Sequence, residues 1–359
     1  MASRRFKALL AFTLAAAGLA GCADLGYYWQ SVSGHLHLLN AARPVDDWLA
    51  DANTSASLKK RLALTQRIRS FAVTELKLPD NPSYRRYADL QRNAVVWNVV
   101  AAPEFSLTLK TWCFPVAGCV GYRGYFSESE ARAEAGQLKD LGFEVAVQGV
   151  PAYSTLGWFA DPMLNTIVNY PAAEVARIIF HELSHQVVYV ADDSVFNESF
   201  AVTVERAGVR RWLAAHGSGG EQQAFERRQR IRADFLALVQ ACRARLDALY
   251  REPIDEADMR MHKRAAFEAL QRDYRALKAS WGGFAGYDRW FAQTPNNALL
   301  ATVSIYTGHV AAFEALLREQ GGDLRKFYAA VKALARLERP ARDAILRKYS
   351  PALDNRDAL

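Results

Sequence analysis

The chain has 359 residues and a formal net charge of +7. Arg4, Arg5 and Lys7 supply three of those charges before residue 22, so the rest carries only +4, too modest a surplus to imply a nucleic-acid partner. Beyond the N-terminus no run reaches the ~18 apolar residues of a membrane-spanning helix.

The first residues read as a processing signal and not as fold. A positive start is followed by an apolar stretch from Ala8 to Leu19, and Leu19-Ala20-Gly21-Cys22 looks like a bacterial lipobox. The expected mature chain begins at Cys22, lipidated on its thiol and amino group. Ala23 in place of Asp, by resemblance to bacterial lipoprotein sorting, points to the outer membrane facing the periplasm. The body is then a domain tethered to the cell envelope by its N-terminus.

Tyr27 to Leu39 reads as a helix whose His35 and His37, two apart, face different sides and make a poor ligand pair. Ala56 to Leu76 is an amphipathic helix with Leu58, Leu62, Thr65, Ile68, Phe71 and Ala72 on one face. Pro79-Asp80-Asn81-Pro82 breaks it, and Tyr84 to Gln91 is expected to add a short helix. Between Ala94 and Tyr170 the period turns strand-like, at 94–100, 121–126, 143–150 and again near 167–170, with a helix from Ser127 to Gly142 capped by Ser127 or Ser129. This predicts a small mixed sheet whose exposed edge could take up an extended peptide as an added strand. Cys113 and Cys119 enclose five residues in an oxidising compartment and are expected to form a disulfide, leaving Cys242 free.

The most informative stretch follows. His181-Glu182-x-x-His185 places two imidazoles about 40° apart and ~6 Å along one helix face, where both can bind a single Zn²⁺. Glu182, about 100° round the helix, can reach water at the metal as a general base. A solvated surface helix would have polar flanks, whereas Ala176, Ile178, Ile179, Phe180, Val187, Val188 and Val190 predict burial. The helix is expected to end near Val190, with a second, antiparallel helix from about Val195 to Ala215. Glu198 then lies level with His185, while Glu205 lies two turns on, ~10.5 Å further away. The ligand set is therefore His181, His185 and Glu198, with Glu205 as a supporting carboxylate.

Gly217-Ser218-Gly219-Gly220 marks a loop or hinge. Glu221 to Tyr250 and Met259 to Trp281 form a helical hairpin turning at Glu252-Pro253-Ile254-Asp255, its apolar stripes at 3-4 spacing. Asn296 to Glu319 reads as one helix carrying Tyr306 and His309 on one face. Tyr306 is the first candidate donor to a tetrahedral oxyanion and His309 the second. Asp323 to Arg347 closes the chain with further helix. The expected class is α+β, mostly helical: a signal at 1–21, an N-terminal helical region at 22–93, a zincin-like core at 94–216 and a C-terminal helical region at 217–359.

The string His181-Glu182-Leu183-Ser184-His185 with Phe196-Asn197-Glu198-Ser199-Phe200-Ala201 is similar to gluzincins, whose third ligand lies in an Asn-Glu-x-x-Ala or related segment. Trp112-Cys113-Phe114-Pro115, Tyr122-Arg123-Gly124-Tyr125-Phe126 and Tyr153-Ser154-Thr155-Leu156-Gly157-Trp158-Phe159 extend the resemblance to a bacterial family of predicted aminopeptidases. It implies one zinc ion on His181, His185 and Glu198, with Glu182 as catalytic base. Better-known gluzincins separate the second His from Glu by 18 or 19 residues. Here 12 residues precede Glu198 and 19 precede Glu205, so counting alone would choose Glu205. Zinc-dependent peptide hydrolysis, as an aminopeptidase with Asp161 as a carboxylate for the substrate α-amine, is the expected function. The alternatives are an endopeptidase on the same site and a non-catalytic envelope scaffold.

Overall fold

The computed structural model describes residues 26–114, 118–152, 155, 157–304 and 308–349, most of them helical. Helix α1 (26–41) leads into the short strand β1 (Arg43–Pro44) and helix α2 (Val45–Ala50). Helix α3 (Ala56–Thr74) starts where the Ser55 hydroxyl accepts from the Leu58 N–H, and it buries Leu62, Ile68 and Phe71 as its periodicity predicts. It also buries Arg69, which donates to the carbonyls of Pro79, Asn81 and Ser83 and so satisfies the backbone of the following loop.

The helix expected at 84–91 is strand β2 (Arg86–Ala88) instead. Tyr84 and Gln91 bracket it at φ 63° and 51°, a left-handed backbone no helix can run through. β2 pairs antiparallel with β1 and parallel with β8 (Met163–Leu164). Strand β3 (Val96–Pro103) is followed by the hairpin β4 (Trp112–Phe114) and β5 (Gly118–Val120), which a Cys113–Cys119 disulfide crosses. Strand β6 (Arg123–Tyr125), helix α4 (Glu128–Asp140, capped by Ser127) and strand β7 (Phe143–Val150) complete a second sheet of order β6-β3-β7, antiparallel throughout. The single mixed sheet expected from the sequence is thus three small ones, and only β1-β2-β8 mixes directions. Residues near 167–170, read as strand, form the one-turn helix α5 (Asn165–Val168).

The β6 edge is not open to an added strand. Gln30 of α1 donates to the Gly124 carbonyl and accepts from the Phe126 N–H, two of the backbone groups along that edge.

Helices α6 (Ala172–His185) and α7 (Ser194–His216) form the centre, and α8 (Gly219–Leu249) packs against α9 (Glu256–Ser280) as the expected hairpin. The Gly-rich link expected as a hinge is a helix start: Ser218 and Glu221 form a reciprocal capping box. After the short α10 (Asp288–Phe291), the long helix expected at 296–319 is broken into α11 (Asn297–Ser304) and α12 (Val310–Glu319). A Cβ at Gly308 would stand 2.9 Å from Val195, and the His309 N–H donates to Ser199 Oγ, so the chain there is spent on α7. Helices α13 (Leu324–Ala335) and α14 (Arg339–Tyr349) follow.

The largest core cluster draws on residues from Leu38 to Leu346. Its centre is aromatic: Phe313 stands 5.2 Å from Phe196, and Phe327 5.8 Å from Phe200, tying α12 and α13 to α7. A separate cluster fills the α8–α9 hairpin, with Val239 fully buried and Leu238 partly so. No helix among the described residues is long and apolar enough to cross a membrane.

Candidate metal centre

Helix α6 buries Val175, Ile179, Phe180 and Leu183, which turns His181 and His185 towards α7. It ends at His185, five residues before the expected Val190, and the chain turns back through Val187 N–H to the Ser184 carbonyl. Asp192 at φ 61° reverses the chain, and Asp193 caps α7 by accepting from the Phe196 N–H. Asn197 then closes the connection. Its side chain accepts from the Val190 N–H at 2.8 Å and donates to the Val190 carbonyl at 2.7 Å. That clamp seats the next residue, Glu198, opposite the histidines.

One donor atom each from His181, His185 and Glu198 lies within 4.8 Å of the others, so the three could hold a metal ion. The Nε2 atoms of His181 and His185 are 3.3 Å apart. Glu198 oxygens lie 3.2 Å from His181 Nε2 and 3.6 Å from His185 Nε2. A tetrahedral ion at ~2.0–2.1 Å from each ligand requires ligand–ligand separations of ~3.3–3.4 Å. The two Glu198 contacts run through different oxygens, Oε2 to His181 and Oε1 to His185, so the carboxylate faces both rings at about the spacing such an ion needs.

Behind the cluster, Glu205 sits 1% exposed, with an oxygen 3.0 Å from His181 Nδ1. An acceptor there keeps the ring's proton on Nδ1 and leaves Nε2 to face the cluster. Arg177 holds Glu205 at 3.2 Å, and Arg232 of α8 approaches it at 3.8 Å. Burial would raise the Glu205 pKa, but these cations and His181 outweigh it and hold the carboxyl at about 2. Burial likewise disfavours charge on His181, yet Glu198 and Glu205 lift that ring to about 10. Its Nε2 proton is the one a metal cation would displace. His185 is pushed down to about 4 by burial and by its charged neighbour His181, which leaves it a neutral donor.

Glu182 has no hydrogen-bond partner among the described residues. Burial pushes its carboxyl up to about 7, with Glu198 and Asp161 adding to the rise. Such a group can both take and release a proton near neutral pH. Asp161 is buried and accepts from the Thr155 N–H at 3.1 Å and the Thr155 hydroxyl at 2.7 Å.

The disulfide hairpin reaches this site, because the Cys119 N–H donates to Asp192 Oδ1 at 2.7 Å in the α6–α7 connection. Just after it comes Tyr122, whose phenol is pushed up to about 12 by burial and by the charge of Glu198, with Glu182 adding to it. Tyr189 is raised by burial and by Glu198. The sequence reading assigned neither tyrosine a role, since no spacing links residues 122 and 198. Gly157 lies against Gln186, next to His185, and Trp158 and Phe159 are exposed beside it. Tyr306 lies outside the described residues, as do residues 1–25 with Cys22. His309 sits in a different setting, with Nε2 3.7 Å from Asp343 of α14.

Residues 26–346 match the family described as "Putative aminopeptidase". No curated protein and no solved structure gives a match.

Proposed function

The chain belongs to this aminopeptidase family, and from that premise we propose that it hydrolyses peptides with one zinc ion held by His181, His185 and Glu198 in a zincin-like core. The observation that carries the reading is one donor atom each from His181, His185 and Glu198 within 4.8 Å of one another, beside Glu182, whose carboxyl has no hydrogen-bond partner among the described residues. When bound, zinc would polarise a peptide carbonyl and make water more acidic.

Glu182 takes a proton from the attacking water and delivers it to the departing amine, a task suited to a carboxyl at about 7. Tyr122, protonated at any physiological pH, is the described tyrosine whose surroundings best suit a donor to the developing oxyanion. Asp161, fixed by Thr155, is the carboxylate assigned to the free α-amine of an aminopeptidase substrate. The resemblance of Leu19-Ala20-Gly21-Cys22 to a lipobox supports a location in the bacterial envelope, tethered through Cys22 to the outer membrane.

The test is Glu182→Gln, scored for zinc by elemental analysis and for cleavage on a peptide library with free and N-acetylated termini. The expected result is one zinc per chain, no hydrolysis in the variant, and wild-type cleavage of free N-termini only. Full activity in Glu182→Gln would overturn the assignment of the base, and cleavage of acetylated peptides would overturn the aminopeptidase assignment in favour of an endopeptidase or carboxypeptidase.

A further inference from the structure

Helix α1 carries no Asp, Glu, Lys or Arg across residues 26–41, in a chain that is 23% charged. Four of its apolar side chains point away from the protein: Tyr28 is 43% exposed, Trp29 74%, Val32 55% and Leu36 50%. At 100° per residue these four fall within an arc of about 100°, a single stripe. The opposite side of the helix is firmly seated. Gln30 binds the Gly124 carbonyl and the Phe126 N–H at the β6 edge, and Tyr27 packs on Tyr125 and Phe114 with Arg123 over its ring. Leu38 joins the main core, and a Cβ at Gly34 would stand 2.3 Å from Phe126. The stripe is therefore held in place and turned outward by the fold.

We propose that this outer face of α1 lies in the surface of the lipid bilayer. The sequence favours a membrane as the occupant. Cys22, the expected lipid-bearing residue, precedes Gly26 by four residues, a reach of at most ~14 Å. The helix, about 24 Å long, therefore has its N-terminal end brought to the bilayer surface by the anchor. Tyr and Trp at its near end suit the headgroup boundary, where a ring can be half apolar and half wet. The absence of charge means that no ion is desolvated on contact. The stripe also borders the site, because His35 on its margin packs at 4.6 Å against Phe159, in the loop that touches Gln186. Docked this way, the metal centre is held at a fixed height above the lipid.

The inference rests on the Cys22 anchor and is independent of peptide cleavage. The full chain is reconstituted with phosphatidylethanolamine–phosphatidylglycerol vesicles containing a lipid brominated in its acyl chains. Flotation reads the anchor, and the difference in emission between wild type and Trp29→Phe reads the face. The expected result is that the chain floats and the Trp29 difference signal is lost on adding brominated lipid. A floating chain with an unquenched Trp29 overturns the proposal and leaves the anchor standing; a chain that does not float overturns both. A Trp29→Ser/Val32→Ser/Leu36→Ser variant, with its melting temperature as the folding control, should lose lipid-induced protection of α1 amides from hydrogen exchange. If those changes instead dissolve a dimer in sedimentation and leave lipid protection intact, a second copy covers the stripe and the proposal fails.

Discussion

At the scale of single residues the two acidic groups on α7 divide one job. Glu198 closes the donor trio, whereas Glu205 touches only the far nitrogen of His181 and is held by arginines. Glu198→Ala should therefore abolish stoichiometric zinc. Glu205→Gln, which keeps a hydrogen-bonding oxygen and loses only charge, should weaken zinc by ~10–100-fold without abolishing it. Competition with a zinc chelator measures both, and equal losses would put the division of roles in error. Tyr122→Phe should leave zinc affinity unchanged and lower kcat by roughly 100-fold; unchanged kcat removes it from the reaction. The histidine pair and Glu182 were legible in the sequence because helix geometry converts a spacing of four into one face. Tyr122 was not, because a strand-rich segment some sixty residues earlier in the chain delivers it through tertiary folding.

At the scale of elements the α6–α7 connection shows how Glu198 reaches the histidines even though the helix end was misplaced. The height argument assumed a helix to Val190, and the structure stops it at His185. Glu198 still arrives opposite the histidines because Asn197 pins both backbone groups of Val190. No helix-propensity reading could contain that, since the bonds join side chain to loop. Replacing Asn197 by Ala strands an N–H and a carbonyl and should cost about 1–3 kcal/mol in urea unfolding. It should also lower zinc affinity with all three ligands intact; a stability loss without a zinc effect would show that the clamp does not set the site. The split between α11 and α12 escaped the sequence for a related reason. Residues 296–319 have continuous helical periodicity, whereas the close approach of Gly308 to Val195 and the His309 N–H bond to Ser199 are tertiary contacts that periodicity does not encode. The α8–α9 hairpin was legible because its contacts are local and repeat at helical spacing.

At the scale of the molecule, one buried ion pair joins the C-terminal helix to the start of α7, the helix that carries Glu198. Arg342 of α14 and Asp193, the cap of α7, are each 3% exposed, and the guanidinium donates to the Asp193 carboxylate while lying 4.9 Å over the Phe196 ring. Two charges removed from water are tolerable only together, so deleting one leaves an uncompensated ion in the core. Arg342→Ala should therefore destabilise the protein by about 3–5 kcal/mol. Asp193→Asn keeps the helix cap and loses the charge. The pair Arg342→Met with Asp193→Asn should consequently cost much less than the sum of its singles, a coupling read by urea unfolding of all four chains. Zinc supplies an independent readout, because a ligand that binds only the folded chain adds about 2.7 kcal/mol at 100 times its Kd. If α14 positions Glu198 through Asp193, five residues earlier, the zinc increment should shrink in Arg342→Ala and return in the double variant. An undiminished increment in Arg342→Ala would confine the pair to holding α14 against the start of α7, with no influence on the metal.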